Sequence, residues 1–177
     1  IHIHTNGDEA SELATEMIGR AIAAHPRADH RHTLQHCQMA DAALFARMAS
    51  LGMCVNLFAN HIWYWGEQHR ALTMGPTRAQ RLDACASALA AGVPLAIHSD
   101  VPVTPVNPLF TAWCAVNRVT SAGRVLGEAE RITVPQALTD WKNSVDRPVI
   151  SPDGSQILWL ESDPYRRAAL MRFDRRS

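Results

Sequence analysis

The stretch Leu95-Ala96-Ile97-His98-Ser99-Asp100-Val101-Pro102 decides the fold class. A short apolar run delivers a His, a Ser and an Asp to one point, and Pro102 then stops the ladder, so it reads as a buried strand with chemistry at its C-terminal end. Two earlier stretches share the form: Ile1-His2-Ile3-His4-Thr5-Asn6-Gly7-Asp8 and Thr33-Leu34-Gln35-His36-Cys37-Gln38. Each places a His where apolar character gives way to polar. Strand ends that offer His, His and Asp make a metal-site pattern.

Between these strands the apolar period lengthens. Ala10, Leu13, Ala14, Met17, Ile18, Ala21 and Ile22 follow the helical series, with Asp8 as candidate cap and Pro26 closing the helix. Asp41 caps a second helix through Leu44, Phe45, Met48 and Leu51, ended by Gly52. A strand at 53–58 follows. A long connection, 59–76, then holds His61, Trp63, Tyr64, Trp65 and His69, and connections of that length usually carry function. Thr77 is expected to cap a helix through Leu82, Cys85, Ala86 and Leu89, ended by Gly92; the strand at 93–98 and a helix over about 109–122 complete the series.

Strand then helix, four times over, with near-continuous apolar strands, is how parallel strands covered by helices read. Active groups at strand C-termini fit a TIM-type (β/α) barrel. A complete barrel has eight such units and typically ~250 residues. At 177 residues the expectation is an α/β chain holding half a barrel over residues 1–141 and a separate module over 142–177. Residue 1 is Ile inside an apparent strand, so the natural chain is expected to begin upstream. From Trp141 the rhythm changes: Lys142 to Pro148 reads as a linker. Ser151-Pro152-Asp153-Gly154-Ser155 reads as the turn of a β-hairpin, with a further strand over 169–173.

The chain is 47% hydrophobic, and seventeen basic residues balance seventeen acidic ones. That balance points away from nucleic acid and anionic membranes and towards a small-molecule partner. No run approaches the ~18 apolar residues of a membrane span. Cys37, Cys54, Cys85 and Cys114 lie far apart, against both a cysteine zinc cluster and a disulfide scaffold. Free thiols favour the cytoplasm; a propeller-like tail would lean towards the periplasm.

His2 and His4 share one strand face, and Gly7-Asp8 adds a tight turn with a carboxylate beside His4. Here the sequence resembles the amidohydrolase superfamily, in the branch that includes N-substituted formamide deformylases. His4-Thr5-Asn6-Gly7-Asp8 is similar to its strand-5 His-x-x-Gly-Asp, Gln35-His36-Cys37-Gln38 to its strand-6 motif, and Ser99-Asp100-Val101-Pro102 to its strand-8 Ser-Asp-x-Pro. Asn60-His61, Pro105 to Leu109, and Ala115-Val116-Asn117-Arg118 with Gly123 add to the likeness, which covers about residues 1–138. It departs at Gln35, where the family commonly has Glu, at His98, and in lacking the family's strand-1 His-x-His and strand-4 ligand. The tail resembles one repeat of a TolB-type β-propeller.

The resemblance implies that His4, His36 and Asp100 hold a divalent metal, most often zinc, and that Asp100 takes a proton from the attacking water. His61 would bind or polarise the substrate carbonyl, with Asn60, Trp63 and Arg118 at the substrate and Asp8 and Ser99 in support. A metal lowers the pKa of bound water and a carboxylate moves the proton, which suits hydrolysis of an amide, formamide or cyclic amide. Trp63, Tyr64 and Trp65 read equally as a substrate wall or as packing, and capping alone would explain Asp8. His25, His30 and His69 read as surface or core histidines. With the upstream strands missing, the chain alone is expected to be inactive and to self-associate through its open barrel edges. The alternative is a non-catalytic half-barrel fragment or binding module whose histidines are relics.

Overall fold

The computed structural model describes residues 1–138 and, beyond them, three strands at 144–150, 156–162 and 168–174. Two compact units divide at Ile132/Thr133. The first contains a four-stranded parallel sheet of β1 (His2–Thr5), β2 (Thr33–His36), β3 (Cys54–Leu57) and β4 (Leu95–Ile97), paired in chain order. Helices α1 (Asp8–Ala24), α2 (Ala42–Ser50) and α5 (Cys85–Ala90) lie in the connections. Right-handed crossovers between sequentially ordered parallel strands put such helices on one side of the sheet. The packing agrees: α1 contacts β1 and α2, and α5 contacts α2 and β4.

Register sorts the side chains into two faces. Ile3, Leu34, Val55 and Leu95 form one row, as do Thr5, His36, Leu57 and Ile97. Leu34, Val55 and Leu57 are buried in a core with Phe45, Met48 and Met53. The row between them is His4, Gln35, Asn56 and Ala96. The near-continuous apolar strands expected from sequence are therefore apolar on one face only. On the other, Gln35 Nε2 lies 2.6 Å from His2 Nδ1, and Asn56 Nδ2 donates to Gln35 Oε1 at 2.7 Å.

Several local signals behave as read. Asp41 caps α2 by accepting from the Leu44 N–H at 2.9 Å, and Gly52 takes φ 68° beyond its end. Others do not. Gly7 holds the cap position of α1, so Asp8 is the first helical residue and its side chain caps nothing. The connection at 59–76 is helical: α3 (His61–Gln68), a π turn (His69–Thr73) and α4 (Gly75–Arg78). Ile62 and Gly66 give α3 its buried stripe, and a Cβ at Gly66 would come within 2.8 Å of Thr120. Thr77 lies inside α4, and the helix expected through Leu82 is interrupted at Asp83, where φ is 47°. Then α6 (Pro108–Asn117), capped by Asn107, stops short at Arg118, whose φ of 53° is left-handed.

Arg118 is fully buried. Its guanidinium donates to the carbonyls of Leu126 at 2.8 Å, Asp83 at 2.9 Å and Leu82. The structure thus gives Arg118, expected at the substrate, a structural role: the hydrogen bonds of its guanidinium go to backbone carbonyls. The second unit holds α7 (Val134–Leu138) and an antiparallel sheet, β5 (Ser144–Ile150), β6 (Gln156–Ser162) and β7 (Ala168–Asp174). Ser144 to Pro148, read as linker, is strand, with a register irregularity between Asp146 and Val149. Trp141, Lys142, Asn143 and the expected turn from Ser151 to Ser155 lie outside the described residues.

Arg118→Met should cost about 3 kcal/mol, since it strands buried carbonyls without donors. A lowered urea midpoint with unchanged slope is the expected reading. A substrate-contact role would leave the midpoint in place.

Candidate active site

Because the strands are parallel and in sequence order, their C-terminal ends share one edge. His4 arrives at the end of β1 and His36 at the end of β2. By register His36 belongs to the helix-side row, yet its ring centroid lies 4.5 Å from that of His4. Left-handed backbone at His36 (φ 62°) and Cys37 (φ 48°) ends the strand and reconciles the two. After β4, Asp100 takes φ 51°, and its Oδ2 lies 4.0 Å from His36 Nε2. His61 opens α3 with its ring 6.1 Å from His36 and 4.2 Å from Phe58.

Sequence reading left three further residues out of this cluster. His98 lies 4.9 Å from His36 and stacks on Phe58 at 5.2 Å. Its two-residue offset from Ala96, in the row of His4, was the available signal. Asp83 is fully buried, with Oδ2 3.1 Å from His61 Nδ1. Nothing in the surrounding helical pattern marked it. His69, read as a bystander, has its ring 6.0 Å from His61 and its Nε2 3.1 Å from Gln38.

Other expected contacts serve the scaffold. Asn60 is fully buried, and its amide donates to Thr104 Oγ1 at 2.8 Å. The Thr104 hydroxyl in turn donates to the Ser99 carbonyl. Asn60 therefore ties down the loop that carries Asp100, while its Oδ1 is buried with no hydrogen-bond partner among the described residues, and Ser99 enters through its backbone. Trp63 packs edge-on to Phe110 and Trp113. Tyr64 and Trp65 continue the ring contacts towards His61. Asp8 pairs with Arg78 at 2.6 Å and Arg81 at 3.7 Å, away from any histidine contact.

Imidazole nitrogens and a carboxylate are the donor chemistry of a zinc-type centre. The buried Nδ1 of His36 and Nε2 of His98 have no hydrogen-bond partner among the described residues. Among the described residues no group of three His, Cys, Asp or Glu converges to hold an ion. The donors fit part of a centre: the right kinds of atom at neighbouring strand ends, with fewer than three closed on one point.

Burial lowers the pKa of His36, with His98 adding to the effect and Asp100 opposing it. Burial likewise lowers His98 and His69. These rings resist protonation more in the folded than in the unfolded chain. Their stabilisation is therefore complete above the ordinary histidine pKa and is lost as pH falls through the lowered folded values. Urea midpoints of the metal-free chain should drop steadily on going from neutral to mildly acidic buffer. A midpoint that rises on acidification would contradict this.

The sequence model of the amidohydrolase family matches residues 1–141. An N-substituted formamide deformylase of Arthrobacter pascens is 30% identical over 175 residues, 98% of this chain and 31% of that protein. An alignment of that span takes in the three-stranded sheet as well. YtcJ of Bacillus subtilis strain 168, described as an amidohydrolase, is 30% identical over 145 residues, 78% of this chain and 26% of its own length. A metal-dependent hydrolase structure from Pyrococcus horikoshii OT3 superposes with a TM-score of 0.63 at 18% identity, over 77% of this chain and 27% of the other. That likeness shows the fold, an α/β segment of the kind expected for part of a TIM-type barrel. The chain thus spans less than a third of the curated relatives it matches. With a family match over most of its length, the chain belongs to the amidohydrolase family.

Proposed function

We propose that this chain contributes the strand-5 to strand-8 side of a metal-dependent hydrolase that cleaves non-peptide carbon–nitrogen bonds in amides, formamides or cyclic amides. The observation that carries the reading is the meeting of His4 and His36 at 4.5 Å with Asp100 4.0 Å from His36, at the ends of three parallel strands. His4, His36 and Asp100 would hold a divalent ion, zinc by donor chemistry. When bound, such an ion supplies a water of lowered pKa and polarises a carbonyl. The chain's own groups do the rest. Asp100, partly exposed beside His36, would accept the proton of the attacking water and return it to the leaving amine. His61 would engage the substrate, and burial lowers the His36 pKa, favouring the neutral form in which imidazole binds a metal.

Four strands leave β1 and β4 each with one unpaired side among the described residues. Open parallel edges recruit further strands, so the 177-residue chain is expected to self-associate with concentration and to show negligible turnover alone. Sedimentation over a concentration series reads the first. Assays with N-substituted formamides, simple amides and cyclic amides read the second. Turnover that scales with bound metal and vanishes in Asp100→Asn would mean that four strands suffice.

Zinc uptake by equilibrium dialysis tests the centre itself. His36→Ala and Asp100→Ala should each weaken binding at least about tenfold, because loss of a ligand costs no less than loss of an outer partner. Equal uptake by the wild type and the double variant would overturn the metal reading and favour a non-catalytic half barrel.

A further inference from the structure

Asp83 is a buried carboxylate with no part in the proposed metal centre. A carboxylate without solvent keeps its charge only where hydrogen bonds or an opposite charge compensate. Its place is fixed by backbone. The Asp83 N–H donates to the Gln38 carbonyl at 3.0 Å, its own carbonyl accepts from Arg118 Nη1 at 2.9 Å, and φ is 47°, a conformation Asp tolerates better than most residues. The side chain does not serve the following helix, since α5 has no side-chain cap. Both carboxylate oxygens face His61 Nδ1 instead, at 3.1 Å and 3.4 Å. No other hydrogen-bond partner of that carboxylate occurs among the described residues.

An ionised carboxylate only accepts hydrogen bonds, so the nitrogen facing it carries the proton. We propose that Asp83 is the positioning residue of the site, holding His61 in the Nδ1–H tautomer and leaving Nε2 as the nitrogen that meets the substrate. His61 so held presents a lone pair at Nε2. The ring lies among Phe58, Trp65, His36 and His69 and is only 12% exposed, so water competes little for this arrangement. The substrate's part in this rests on the proposed hydrolase function. The tautomer assignment does not.

Long-range proton–nitrogen spectra of the 15N-labelled 177-residue chain, recorded at about pH 8 where histidine is neutral, test the assignment. His61→Gln identifies the ring by loss of its signals. The expected wild-type pattern is a protonated Nδ1 and a bare Nε2. In Asp83→Asn the amide can donate to Nδ1, so the Nδ1–H signature should be lost and the proton should appear on Nε2. A wild-type ring protonated on Nε2 overturns the proposal, and so does an unchanged tautomer in folded Asp83→Asn. Should Asp83→Asn fail to fold, the wild-type spectrum alone decides. Absence of zinc binding with Nδ1–H intact would sink the metal reading and leave the Asp83–His61 pairing standing.

Discussion

Parallel pairing in chain order is the constraint on which everything else depends. Because β1 to β4 add one beside the next without a strand exchange, the right-handed crossover rule puts α1, α2 and α5 on one side of the sheet. One face must then be apolar and the other is released from that duty. The same ordering aligns every strand's C-terminal end, so that residues distant in sequence, at positions 4, 36, 61 and 100, become neighbours.

Around that edge, polarity is divided sharply between what is spent and what is left over. Arg118 and Asn60, both without solvent exposure, donate to backbone carbonyls and to the Thr104 hydroxyl. They hold the 82–83 turn and the loop after β4. The histidine nitrogens beside them are not all satisfied in this way. A protein that pays the cost of burying imidazoles without partners concentrates its binding capacity where those nitrogens meet.

The ladder was legible because each strand announces itself twice, by an apolar run and by a polar residue at its end. Asp41 and Gly52 were equally plain, since a cap and a left-handed stop are local chemistry. Helix α3 was hidden because His61, Trp63, Tyr64 and Trp65 are aromatic or polar on every side, and its buried stripe rests on Ile62 and a glycine. Asp83 was invisible for a different reason: a left-handed turn inside a helical pattern leaves no periodic trace. The hydrogen bonds of Arg118 and Asn60 were not legible, because motif position says that a residue matters without saying to whom its hydrogen bonds go.

The polar inner face has a thermodynamic consequence. His2, Gln35 and Asn56 link side by side across three strands where a filled barrel would stack branched aliphatic residues. Exposing apolar surface on unfolding raises the heat capacity, whereas exposing polar surface lowers it. A sheet with amides and imidazoles on one face therefore has a smaller heat-capacity change than an aliphatic-filled one of equal size. Its stability bends less with temperature, so this layer loses less to cooling than the helix-covered face does.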